Sequence, residues 1–182
     1  MLKKLLSFYK VPLLISTVLV IVLIALNPSK TPLYFAQIFF GVFLGAFFLD
    51  IEFFLHAYIF EPDTDFSKTL LGFTKHGDLI NAFLFINYHK DEIKEKSIHS
   101  GVFQIVMAFV CISVVFATTY VMMKALVLSI FANSIYRFAE CYYKGNIEEW
   151  FWAFKKTPSK HMLFLYATAL VGTLILCLYF FR

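Results

Sequence analysis

Phe39-Phe40-Gly41-Val42-Phe43-Leu44-Gly45-Ala46-Phe47-Phe48-Leu49-Asp50-Ile51-Glu52-Phe53-Phe54-Leu55-His56-Ala57-Tyr58-Ile59-Phe60 is an apolar run in which Asp50, Glu52 and His56 are the only acidic or basic side chains. The next apolar run opens on a second polar pair, His99-Ser100. An Asp placed at membrane depth costs roughly 2.5–3.5 kcal/mol on insertion scales, so such residues need a reason to be there. Three reasons are open at this point: a bound metal, a proton or ion path, or an internal salt bridge.

Working outward, the chain has 182 residues, of which 60% are hydrophobic, 20% aromatic and only 15% charged. Soluble domains run at about 45–50% apolar and about 25% charged, so this composition belongs to a polytopic membrane protein. The length allows one integral membrane domain over residues 1–182 and no separate soluble domain. The net charge of +4 reads as topology and anchoring to anionic lipid, not as nucleic-acid binding. Cys111, Cys141 and Cys177 are odd in number and form no C-x-x-C pair. They read as apolar fillers, not as a disulfide framework or a thiolate metal site.

A hydrocarbon core about 30 Å thick takes about 20 apolar residues as helix. The expected spans are about 11–27, 33–60, 101–119, 121–143 and 162–181. The first follows Lys3, Lys4 and Lys10 and leads into Asn27-Pro28-Ser29-Lys30, which lacks a small-x-small cleavage site, so it reads as an uncleaved span. The second opens at Pro32, contains the G-x-x-x-G pair Gly41 and Gly45, and is long enough to tilt or to break near Asp50. Residues 66–72 read as a short interfacial turn. Residues 76–96 contain an amphipathic helix with an apolar stripe of Leu79, Ile80, Phe83, Leu84 and Ile86. Gly145-Asn146 ends the fourth span, and Trp150 and Trp152 mark an interfacial segment.

Lysine and arginine set the orientation. Lys3, Lys4 and Lys10, then Lys68, Lys75, Lys90, Lys94 and Lys96, then Lys144, Lys155, Lys156 and Lys160 fall on one side of a five-span chain. The other side has only Lys30, Lys124 and Arg182. The expectation is an all-helical bundle of about five spans in a bacterial inner membrane, N-terminus in the cytoplasm, with the amphipathic segment on the cytoplasmic side.

That topology brings Asp50, Glu52, His99, Asn133, Arg137 and Glu140 to similar depth in the cytoplasmic half. Glu52 and His56 share a face if their helix is continuous, and Asn133, Arg137 and Glu140 share another at i, i+4 and i+7. Ser100 is suited to capping the third span. Carboxylates with an imidazole suit Zn, Mn or Mg. Arg137, the only arginine within a span, also suits a salt-bridge network with Asp50, Glu52 or Glu140, because buried charges are normally paired.

Gly45-Ala46-Phe47-Phe48-Leu49-Asp50-Ile51-Glu52 resembles the G-x-x-x-P-D-x-D-H segment of small bacterial inner-membrane proteins described as membrane-bound metal-dependent hydrolases, of the LexA-binding inner-membrane type. Lys96-Ser97-Ile98-His99-Ser100 is similar to that family's H-R-x-x-T-H-S segment, which also opens a span. Gly145-Asn146-Ile147-Glu148-Glu149-Trp150-Phe151 is similar to a segment after the fourth helix in some members, and the resemblance covers about residues 35–155. It implies a divalent metal held by Asp50, Glu52 and His99, with His56, Asn133 and Glu140 as additional candidates. Glu52 would be a ligand or general base, and Arg137 would hold an anionic substrate. The sequence departs from the pattern at Phe48-Leu49, where the family has Leu-Pro, and at Phe53, where it has His. Asn133, Arg137 and Glu140 also stand where a His and an Asp are usual.

Two functions follow as expectations. One is metal-dependent hydrolysis at the cytoplasmic face, on a substrate such as a phosphorylated lipid. The other is a non-catalytic scaffold in which the same residues form a buried salt-bridge network and the 76–96 segment meets a cytoplasmic protein partner. A transporter is a third and weaker expectation. Membrane lipids are partners under every reading, and nucleic acid is under none.

Overall fold

The computed structural model describes residues 4, 7–27, 31–89, 98, 100–154 and 158–181. His99 and the polar stretch 90–97 therefore lie outside the described residues. The described chain is all-helical and contains no strand. In chain order the helices are α1 (Lys10–Ala25), α2 (Pro32–Phe48), α3 (Ile51–Leu55), α4 (Asp65–Lys75), α5 (Leu79–His89), α6 (Gly101–Ala117), α7 (Val121–Lys144), α8 (Ile147–Trp150) and α9 (Lys160–Tyr179), with a π-helical turn over His56–Phe60 after α3.

Local chemistry sets most of these ends. Pro32 stands in the first turn of α2, where its missing N–H costs nothing, and the Thr31 hydroxyl accepts from Tyr34 N. Thr64, Ser100 and Ser159 cap α4, α6 and α9 in the same manner. Gly145 closes α7 at φ 80°, a left-handed conformation that glycine adopts without a Cβ clash.

α7 is the centre of the bundle. It packs most extensively on α2 and also meets α1, α6, α8 and α9. In its apolar window 56% of residues are buried, against 17% in α9, so α7 is a core helix and α9 lies at the edge. Leu23, Ile38, Val42, Cys111, Leu128 and Phe131 are fully enclosed at the centre. The α2–α7 contact is backbone to backbone. A Cβ on Gly41 would stand 2.5 Å from Met122 O, and one on Gly45 would stand 2.6 Å from Ser129 Cβ. The Ser129 hydroxyl donates to Val42 O at 2.6 Å across the same seam.

Two helices, α7 and α9, are long and apolar enough to cross a membrane, and a third crossing exists if α2 and the piece after it count as one bent span. This is fewer than the expected five among the described residues. α1 and α6 are apolar but have only 16 and 17 residues. At about 1.5 Å per residue each reaches roughly 24–26 Å, short of a full hydrocarbon core of about 30 Å.

The second apolar run does break near Asp50, with a bend of 50° between α2 and the residues after it. Neither proline nor glycine causes the bend. The chain tightens there into i→i−3 bonds, Asp50 N to Phe47 O and Phe53 N to Asp50 O. It then loosens into the π-helical turn, where Glu61 N reaches back to His56 O.

Residues 66–72 are not a short turn but part of α4, an eleven-residue helix. With α5 and the π-helical turn it forms a second small core of Phe53, Ala57, Phe66, Leu70, Ala82 and Ile86. Ala82 and Ile86 of α5 face this core, with Phe83 and Phe85 packed alongside, and Leu84 is buried outside it. Leu79 and Ile80, expected in the apolar stripe, are exposed. The stripe shifts because α5 answers to a partner, α4, that the sequence pattern of residues 76–96 does not reveal.

Candidate functional site

The bend leaves Asp50 at the start of α3, buried, with a carboxylate that caps no helix. That carboxylate has two partners from other elements. The Tyr9 hydroxyl, from the residue before α1, donates to Oδ2. Arg137, on α7, places Nη2 3.6 Å from Oδ1. Arg137 Nη1 in turn donates to Glu140 Oε2 at 2.9 Å, and Lys144 Nζ lies 3.0 Å from Glu140 Oε1.

The cluster is thus a chain: Tyr9, Asp50, Arg137, Glu140, Lys144. Its charges alternate and sum to zero. Side-chain exposure rises along it, from 4% at Asp50 through 13% and 23% to 47% at Lys144, so it runs from the interior to the surface. The steps on α7 are i,i+3 and i,i+4, which place successive charges on one face. Burial, the Asp50 charge and the shared hydrogen bond hold the Tyr9 phenol in its neutral, donating form, with its pKa pushed well above the ordinary tyrosine value.

The sequence candidates divide into those this chain joins and those it does not. Asp50, Arg137 and Glu140 are joined. Glu52 is buried, and its Oε1 accepts from Ile98 N at 2.6 Å, tying α3 to the entry of α6. Asn133 lies one turn before Arg137 but bonds its own helix, Nδ2 donating to Ser129 O at 2.9 Å. Its Oδ1 is buried with no partner among the described residues. The helix is continuous from Glu52 to His56, with His56 N donating to Glu52 O, so the two share a face as expected, yet the His56 ring pairs elsewhere. His56 opens the π-helical turn and faces Glu61, with Nε2 3.6 Å from Oε2. His99 is outside the described residues.

Tyr9 and Lys144 belong to the cluster but escaped sequence reasoning. Tyr9 resembles any interfacial aromatic at the foot of a span, and Lys144 resembles any topogenic lysine. A second polar link was also missed. The Tyr166 hydroxyl donates to Gln104 Oε1 at 2.7 Å, Gln104 Nε2 donates to Ser134 Oγ at 3.3 Å, and Ser134 donates to Phe131 O at 2.8 Å. This ties α6, α7 and α9 together where Gln104 is fully buried. A lone Gln and a Ser in apolar helices carry too little pattern to be paired in advance.

Among the described residues no group of three or more His, Cys, Asp and Glu comes together as a metal-ligand set. Of the two Asp50 carboxylate oxygens, one accepts the Tyr9 hydrogen bond and the other faces a guanidinium.

No family model, no curated protein and no solved structure matches the chain.

Proposed function

We propose that this protein is a five-span inner-membrane scaffold, N-terminus in the cytoplasm, whose Tyr9–Asp50–Arg137–Glu140–Lys144 chain is a structural ion-pair network and not a catalytic centre. The observation that carries this reading is the Asp50 carboxylate, engaged by Tyr9 on one oxygen and by Arg137 on the other. A buried charge so compensated fixes helix positions without needing a ligand. The five-span count rests on the apolar character of α1 and α6 together with the lysine asymmetry. The shortness of those two helices is the kind that local bilayer thinning or flanking residues absorb at modest cost. In this reading the α4–α5 layer is the contact surface for a cytoplasmic protein partner, with Leu79, Ile80 and Tyr88 exposed on it.

Metal-dependent hydrolysis is the second reading, and one observation favours it. The Glu52 carboxylate accepts from Ile98 N, so the residue next to His99 lies against a proposed ligand. This reading requires Asp50 to exchange Tyr9 or Arg137 for the metal.

Metal content of the detergent-purified protein decides between them, with Asp50→Ala and His99→Ala measured beside the wild type. The scaffold reading expects wild-type protein to stay metal-free after incubation with Zn, Mn or Mg. Near-stoichiometric metal that both substitutions remove would overturn it in favour of the hydrolase.

A further inference from the structure

Beyond the ion-pair network, α7 and α9 enclose a cleft of about 240 Å³ lined by Phe138, Tyr142, Tyr143, Lys160, Leu163 and Phe164. Its walls are mostly apolar and its rim is not. Tyr142 and Tyr143 stand on the last turn of α7, and Lys160 is the first residue of α9. Lys160 is exposed and pairs with no carboxylate of the described residues, whereas Lys144 is matched by Glu140. The first N–H groups of α9 also point out of the helix end beside Lys160 and add partial positive charge.

We infer that this cleft is a binding site for an anionic phospholipid, one acyl chain seated between α7 and α9 and the phosphate held at Lys160. Three features select that occupant. The cleft opens on helices long and apolar enough to lie in the bilayer, so a lipid tail is the apolar group at hand. Its volume is below the roughly 300–1,000 Å³ of sites that enclose a whole small molecule, which suits a segment of a chain. Its single unmatched charge is positive and stands where α7 ends and α9 begins, with Tyr142 and Tyr143 lining the same cleft. Juxtamembrane lysines attract anionic headgroups, and an interfacial Tyr has a polar tip for the headgroup region. The inference rests on α7 and α9 lying in the membrane, not on the role of the ion-pair network. The metal measurement can therefore fail while this one succeeds, and the reverse.

The two tryptophans give a direct readout. Trp150 packs on Phe138, a wall of the cleft, with ring centroids 5.8 Å apart. In a Trp152→Phe background it is the only tryptophan of the chain. The experiment titrates this protein in mixed micelles with phosphatidylglycerol or phosphatidylcholine, each brominated on the acyl chains, and follows quenching of Trp150. The expected result is half-quenching at about fivefold lower mole fraction of the anionic lipid, the scale of one interfacial lysine. Lys160→Ala should bring the two lipids together, and a Phe in place of Ala167, which also lines the cleft, should fill it and weaken quenching by both (Ala167→Phe). Equal half-quenching in the parent protein overturns the site. So does a preference that survives Lys160→Ala, or quenching unchanged by Ala167→Phe.

Discussion

The same two helices, α2 and α7, meet in two chemically opposite ways along their length. At Gly41 and Gly45 they touch backbone to backbone, with room for no further carbon atom, and a hydrogen bond from Ser129 to Val42 O crosses the seam. Just past the end of α2, at the bend, Asp50 and Arg137 face each other as full charges 3.6 Å apart. In lipid the hydrophobic effect does not drive helices together, so the glycine section relies on close packing and on that hydrogen bond. It is held against the small side chains of Ala125 and Ser129, which stand opposite the two glycines. In the charged section a shift of one turn would leave two unpaired charges in an apolar surround. The glycines set how near the helices come, and the ion pair sets where along each other they stop.

Breaking the charged section should have the largest effect. Arg137→Ala leaves Asp50 buried without its counterion, a change that typically costs about 3–5 kcal/mol. Thermal unfolding in detergent should show a large drop in Tm. The double variant Asp50→Leu/Arg137→Met should recover much of that loss, because a buried pair replaced by apolar side chains is often neutral or better. A double variant as unstable as Arg137→Ala would mean that Asp50 does something other than pair with Arg137.

Tyr9→Phe removes one donor to the Asp50 carboxylate and leaves the ring contacts with Phe47 and Phe83 in place. A hydrogen bond to a charged group is worth about 1.5–3 kcal/mol, so unfolding should shift by that much and by less than in Arg137→Ala. The glycine section is sharpened by Gly45→Ala. Its Cβ would lie 2.6 Å from Ser129 Cβ and 2.7 Å from Leu126 O, so α2 and α7 must separate, at a cost of about 1–3 kcal/mol for overpacking. Gly172→Ala on α9 is the matched control. Nothing lies within 4 Å of its Cβ, and removing a helical glycine should be neutral or stabilising by about 0.5–1 kcal/mol. Equal losses in the two variants would remove close packing as the explanation.

Much of this comparison was legible in the residues themselves. Pro32, Ser100 and Gly145 act through local backbone chemistry, which does not depend on what surrounds them, and each ends or starts a helix as expected. Asp50 and Arg137 were legible because charge in an apolar run is costly and so must be paired. What escaped depended on partners distant in sequence. Tyr9 joins Asp50 across 41 residues, and nothing near Tyr9 distinguishes it from an interfacial anchor. Glu52 and His56 do share a face, but His56 pairs with Glu61 through the π-helical turn that follows it, and no helix breaker encodes that turn. Leu79 and Ile80 fit an inward stripe by spacing alone, yet they stand in the first turn of the helix and are exposed, while Ala82 and Ile86 carry the contact with α4.

The outer end of the charged chain gives the smallest effect and the most discriminating one. Lys144 is 47% exposed, and its pair with Glu140 is an i,i+4 contact on a helix surface. Such pairs contribute only about 0.2–1 kcal/mol, and the charge on Glu140 keeps Arg137 as a partner in any case. Lys144→Ala should therefore lower Tm slightly, and the small loss should vanish in high salt, where exposed charges are screened. Arg137→Ala should keep most of its large loss in the same salt, because ions do not reach a pair buried at the bend. If both losses fade together as salt is added, the Asp50–Arg137 pair is wet and the difference in burial along the chain has no energetic meaning. If only the Lys144 loss fades, the gradient from 4% to 47% exposure is also a gradient of energy, and the register of α2 on α7 is held at its inner end.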